Sequence, residues 1–175
     1  MSDLAKNSFP QDGEQVPLLK RLTTMEVGGR PALYRVVDEE QEAIALCRWA
    51  RAEEIPIWVL GGGSNVLCDD EQLDGLVLQL IDRDIEWIEK PQQKRCEVIL
   101  GAGVVWSDFV EEAVRRGLAG VECLIGIPGW AGAAPIQNIG AYGQSLSDTC
   151  EAVRVYDLHT DEVKWWSAQE CSFGY

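Results

Sequence analysis

Between Cys123 and Ser147 the chain carries no Asp, Glu, Lys or Arg. Its composition as a whole is 25% charged. Within that run, GIPGWAGAAPIQNIGAYG (residues 126–143) holds five glycines, four alanines and two prolines. No regular element suits it. A helix or strand would not tolerate glycine at this density. A membrane span needs about 20 unbroken apolar residues, and the prolines, Gln137 and Asn138 interrupt this stretch. A flexible linker would be rich in Ser and charge, not in Ile, Trp and Tyr. What remains is an irregular, buried, close-packed backbone whose N–H and C=O groups need partners. Either a bound ligand or internal packing supplies them.

A second glycine cluster lies in VLGGGSNVL, residues 59–67. An apolar run of strand length leads straight into Gly61, Gly62 and Gly63, followed by Ser64 and Asn65. Triple glycine lets the backbone take positive φ and approach a ligand closely. Consecutive N–H groups then form an anion-cradling nest, to which the two side chains add donors. The pattern is not a GxGxxG opening a long helix, and no lysine comes after it to make it a Walker loop. A plain tight turn is the competing explanation. A third site, GAG at 101–103, reads mainly as a turn of the chain.

Composition narrows the chemistry. The net charge is −14 and the pI about 4.4. Nucleic acids and anionic membrane surfaces call for a basic patch that this chain does not offer. An anionic ligand would therefore be held by backbone dipoles. The six cysteines all lie more than twenty residues apart, which excludes a CxxC motif and predicts free, mostly buried thiols in a reducing cytoplasm. His159 is the only histidine. It falls in DLHTDE, read as a solvated turn, so no metal site is expected. The first residues, MSDLAKNSFPQDGEQ, show no apolar signal-peptide core.

Along the chain, residues 1–20 read as a loose arm. A strand at 32–37, a helix over DEEQEAIALCRWARAEE with Ile44, Cys47 and Ala50 inward, and a strand at IPIWVL make a βαβ-like unit with a parallel pair. Short strands come next at 75–80, 84–90 and 94–100, the last two as an antiparallel hairpin. The next helix has Ser107 as its cap, Phe109, Val110, Ala113 and Val114 as its inner stripe and Gly117 at its end. EAVRVYD and EVKWW flank LHTD as a second hairpin. SAQE (167–170) is a capping box opening a helical turn.

The segments LTTMEVGGRPALY, VLGGGSNVL, GAGVVW, GLAGVECLIGIPGWAGAAPIQNIGAYGQ and ECSFGY, in this order, resemble the UDP-N-acetylenolpyruvoylglucosamine reductases. The resemblance implies an α+β, FAD-binding fold of the vanillyl-alcohol-oxidase type. It has two subdomains, here 21–80 and 81–175, with noncovalent FAD between them. It also implies that Gly61, Gly62, Gly63, Ser64 and Asn65 cradle the pyrophosphate. Ile127, Pro128, Gly129, Ala133, Ala134, Gln137, Asn138 and Gly143 then line the flavin. NADPH is the implied reductant, UDP-N-acetylenolpyruvoylglucosamine the substrate, and peptidoglycan biosynthesis in the cytoplasm the setting.

This sequence departs from the family's pattern in places. Trp130 stands where a small residue is usual, and is expected to fill core. Ala133 and Ala134 replace hydroxyl residues of some relatives. The family motif continues after Tyr175 with an arginine that polarises the substrate, and then with a domain carrying a serine proton donor and a glutamate. Of the residues near the substrate only Tyr175 is within this sequence. The 175 residues alone are therefore expected to lack turnover. The alternatives are a stand-alone flavin-binding module and an oxidase of the same superfamily. The gene's coding sequence beyond the Tyr175 codon would distinguish the first. The oxidase is disfavoured because no histidine is placed to anchor flavin covalently.

Overall fold

Leu73–Leu80 (β3) is the strand about which the first part of the chain is built. Five consecutive residues, Gly75 to Gln79, are buried, the signature of a strand covered on both faces of a parallel sheet. The computed structural model describes residues 16–174. In it, β3 pairs in parallel with both Pro31–Val37 (β1) and Ile57–Val59 (β2), giving the order β1-β3-β2. The expected βαβ unit is present, with helix Glu40–Ala52 (α1) between β1 and β2. Its two strands do not pair with each other, because the eight-residue β3 takes the place between them, while β2 has only three residues. β2 is correspondingly an edge strand with Trp58 and Val59 exposed.

Helix α1 starts with Glu40 and Glu42 in its first turn, where carboxylates meet the positive end of the helix dipole. It packs on β1 and β3 and buries Ile44, Leu46, Cys47 and Ala50. Alternation along β3 turns Val77 to the other face, where it meets Leu19 and Leu60, with Tyr34 packed alongside. Of the arm expected at 1–20, residues 1–15 lie outside the described residues. Its end is folded in: Leu19–Arg21 form a 3-10 turn, Leu19 is buried, and its N–H donates to Gly29 O at 2.9 Å.

The described residues group into two compact units, one reaching Ile81 and including Leu158–Asp161, the other formed by Asp82–Asp157 and the residues from Glu162 on. In the second, Ile85–Lys90 (β4) and Arg95–Leu100 (β5) make the expected antiparallel hairpin. Trp106–Arg115 (α2) supplies the core. Trp106, Phe109, Val110 and Ala113 are buried with Val104, Leu124, Ala134, Ile139 and Leu146. Two expectations fail here. The cap position is Val105, without a side-chain bond, and not Ser107. Val114 is exposed while Trp106 is buried. The helix begins earlier than expected, and this rotates the apolar stripe to the i, i+3, i+4, i+7 set from Trp106. Gly117 does close the helix, its N–H donating to Val114 O at 2.9 Å.

Ala152–Asp157 (β8) and Glu162–Ser167 (β9) form the second expected hairpin, and His159 is exposed in its turn. Ser167 and Glu170 make the capping box reciprocally: Ser167 N–H donates to Glu170 Oε2 at 2.8 Å, and Glu170 N–H to Ser167 Oγ at 3.3 Å. All six cysteines are free thiols, but only Cys47 is buried. The other five are half-buried. Among the described residues no helix is long and apolar enough to cross a membrane.

Candidate functional site

In the first unit the ladder runs one residue past β2, with Leu60 N–H donating to Leu78 O at 2.9 Å. The chain then leaves the sheet through Gly61-Gly62-Gly63. Gly61 O accepts the Gln79 side-chain amide N–H at 2.8 Å, and Gln79 Oε1 accepts the Tyr34 hydroxyl at 2.6 Å. Burial pushes the Tyr34 phenol above its ordinary value, so it stays protonated and donating through the neutral range. Gly63 sits at φ +69°, and a Cβ there would come within 1.9 Å of Leu22 O. Its carbonyl accepts Thr24 N–H at 3.0 Å. The third glycine is therefore required by internal packing alone. The Gly62 N–H makes no hydrogen bond among the described residues. Ser64 is half-buried, Asn65 is exposed, and both have partners within the chain. A backbone N–H held on a rigid glycine turn, with no acceptor of its own, suits an anion such as a phosphate.

In the second unit the uncharged segment is ordered by internal bonds but is not buried as expected. Its start is pinned by Gln144, whose Oε1 accepts Cys123 N–H at 2.9 Å and whose amide donates to Glu122 Oε2 at 3.3 Å. Glu122 Oε2 also accepts Gly120 N–H at 2.5 Å. Backbone N–H groups of Glu122 itself and of Gly120, and the Gln144 amide, hold the Glu122 carboxyl below the ordinary carboxylate range. Ala131 N–H donates to Val104 O at 2.8 Å and Gly132 N–H to Ala102 O at 3.0 Å, so the GAG loop serves this packing, as a turn. Trp106 Nε1 donates to Leu124 O at 3.1 Å and Trp106 N–H to Gly129 O at 3.0 Å, tying α2 to both sides of Ile127 and Pro128.

The chain continues as a 3-10 stretch, Ala131–Gln137, with Trp130 half-buried at its cap position. Ala134 turns its methyl into the core, so only its backbone can meet a ligand, while Ala133 is half-buried. Asn138 stops the stretch in a left-handed conformation, its Oδ1 accepting Ser147 N–H at 3.0 Å. Gly140–Ala141 (β6) and Gln144–Ser145 (β7) then form a minimal hairpin. Its two turn residues, Tyr142 and Gly143, have φ of 52° and 81°, as a type I′ turn demands. Nothing lies within 4 Å of where a Gly143 Cβ would be. Ile136 and Tyr142 are 88% and 91% exposed, and Pro128, Gln137 and Gly143 are also exposed or half-exposed. Large apolar side chains left in solvent on a stretch without charge suit packing against a planar, neutral ring system. Tyr175 lies outside the described residues.

Two supports escaped sequence reasoning. Gln79 left one signal, a lone amide in the otherwise apolar run GLVLQL. Gln144 left none, because its role depends on Cys123 and Glu122 coming back beside it.

Residues 31–166 match the FAD binding domain family. The chain is 43% identical over 153 residues to a UDP-N-acetylenolpyruvoylglucosamine reductase of Thermobifida fusca, covering 87% of this chain and 43% of that protein. It is 38% identical over 162 residues to the enzyme of the same name in Mycolicibacterium smegmatis, covering 93% of this chain and 43% of that protein. The chain thus spans about two fifths of the length of these curated relatives. Among solved structures, the UDP-N-acetylenolpyruvylglucosamine reductase (MurB) of Thermus caldophilus superposes with a TM-score of 0.72 at 32% identity, over 92% of this chain and 55% of that one. The 6-hydroxy-D-nicotine oxidase of Arthrobacter nicotinovorans gives 0.61 at 25% identity, over 81% of this chain and 31% of that one. The family match runs over residues 31–166, well over half of the sequence, and fits the glycine turn and uncharged segment described above: this chain belongs to the FAD binding domain family.

Proposed function

We propose that this chain is the FAD-binding part of an NADPH-dependent reductase. The whole enzyme converts UDP-N-acetylenolpyruvoylglucosamine to UDP-N-acetylmuramate for peptidoglycan in the cytoplasm. The observation that carries this reading is the uncharged segment 126–143, with Ile136 and Tyr142 left in solvent, in a protein of net charge −14. Bound FAD supplies the capacity to accept a hydride from NADPH and pass it on. The chain's own residues do the holding. Gly61, Gly62, Gly63, Ser64 and Asn65 take the pyrophosphate. Gly62 offers a backbone dipole where an acidic protein has few cations to offer. Ile127, Pro128, Gly129, Ala133, Ala134, Gln137, Asn138 and Gly143 face the flavin, excluding water and keeping carboxylates away from an electron-accepting ring. Tyr175 adjoins the substrate.

The test is NADPH oxidation with and without the nucleotide sugar. One arm uses the 175-residue polypeptide. The other uses that polypeptide extended by the C-terminal portion of the Thermobifida fusca relative. The expected result is slow oxidation indifferent to the sugar for the first and sugar-dependent turnover for the second. Positioning contributes about 7–11 kcal/mol of such barriers, and a single preorganised electrostatic partner about a hundredfold or more in rate. An extended protein that binds FAD but ignores the sugar would remove the reductase reading. Sugar-dependent turnover by the 175 residues alone would show the catalytic groups to be misplaced.

A further inference from the structure

Gln79 is 7% exposed, in a strand where Leu76, Val77 and Leu78 are all buried and apolar. A leucine would pack there without polar atoms to satisfy, whereas a buried amide is tolerated only if it is bonded. Both ends of this one are. Gly61 O can only accept, so the Gln79 atom facing it at 2.8 Å is the NH2 group. The Gln79 oxygen is left for the Tyr34 hydroxyl at 2.6 Å. The amide's orientation is therefore dictated by its partners.

The consequence falls on the next residue. In a trans peptide the C=O and the following N–H point in opposite directions. Drawing the Gly61 carbonyl onto Gln79 turns the Gly62 N–H away from β3. Two peptides further on, the Gly63 carbonyl is drawn onto Thr24 N–H at 3.0 Å, so the turn is fixed on both sides of Gly62. Without the Gln79 amide, the Gly61–Gly62 peptide has no side chains to restrain it and is free to rotate. Ordering it would then oppose ligand binding.

We infer that Gln79, oriented by Tyr34, is a positioning residue that presets the Gly62 N–H toward an anionic diphosphate. The inference rests on the reading that this turn takes the pyrophosphate of FAD. Neither residue touches the ligand; they act through the Gly61 peptide.

Titration of FAD and of riboflavin, followed by flavin fluorescence, separates this role from a structural one, because riboflavin has the ring but no pyrophosphate. Gln79→Leu should bind FAD about tenfold more weakly, the worth of one hydrogen bond, with riboflavin affinity unchanged. Tyr34→Phe keeps the ring and should lose about threefold for FAD alone, a fraction of one hydrogen bond. Gln79→Glu gives a sharper signature. Its carboxylate cannot donate to Gly61 O at neutral pH, but its protonated form can. Its FAD affinity relative to wild type should therefore recover as pH falls toward about 5. Unchanged FAD affinity in folded Gln79→Leu, or equal losses for FAD and riboflavin, overturns the role. If Gln79→Leu does not fold by circular dichroism, Tyr34→Phe and the pH recovery of Gln79→Glu decide by the same criteria. A wild-type chain that binds no FAD overturns the cofactor reading itself.

Discussion

Gly62 and Gly63 are adjacent, but the absence of a side chain serves a different purpose at each. At Gly63 a Cβ would strike Leu22 O at 1.9 Å, with φ at +69°. Gly63→Val should therefore fail to accumulate as folded protein. Gly62 instead offers an N–H without an acceptor among the described residues. Gly62→Val should keep its thermal midpoint and lose about 2–5 kcal/mol of FAD affinity, the worth of one to two hydrogen bonds to a charged group. Isothermal titration of both variants checks this. Equal affinity in wild type and folded Gly62→Val would make the whole turn a packing device. The triple glycine was legible in the sequence as a close approach of backbone to something. Its division between ligand and packing was not, because the group that excludes a side chain at Gly63 is the backbone of Leu22, far upstream.

The uncharged segment is an element without a repeating pattern, held by side chains at its ends. Glu122 is one of them. The folded state favours its charged form, so its contribution is complete above the ordinary carboxylate value and is lost as pH falls through the lower, folded one. Glu122→Gln should melt below wild type at pH 7. The gap should close on acidification below about pH 4; a gap that stays constant or widens would contradict the assigned bonds. The core under the segment is anchored by α2. Phe109 is buried between Trp106 and Trp87, with ring centroids 5.4 and 5.9 Å away. Phe109→Ala should cost about 3–5 kcal/mol by denaturant unfolding, a large share of a typical domain's stability. The hairpins and both helices could be read from periodicity and turn residues. The strand order could not. IPIWVL and GLVLQL are both six-residue, mostly apolar runs, and nothing in either marks the second as the centre. The segment's exposure was equally hidden, since its apolar composition reads as burial until a ligand or partner is considered.

At the scale of the whole molecule, two compact units each carry one candidate surface. The first has the GGGSN turn on Gln79; the second has the wall around Ile136 and Tyr142. A protein of net charge −14 that binds a diphosphate does so against its own field. It needs fixed backbone dipoles to succeed. The most direct measurement is a titration of the purified 175-residue chain with FAD, followed by flavin fluorescence and visible absorption. Quenched fluorescence, a structured absorption band, and recovery of free FAD on denaturation are expected, as for a noncovalent cofactor. A folded chain that leaves flavin fluorescence unquenched at high micromolar FAD would contradict it.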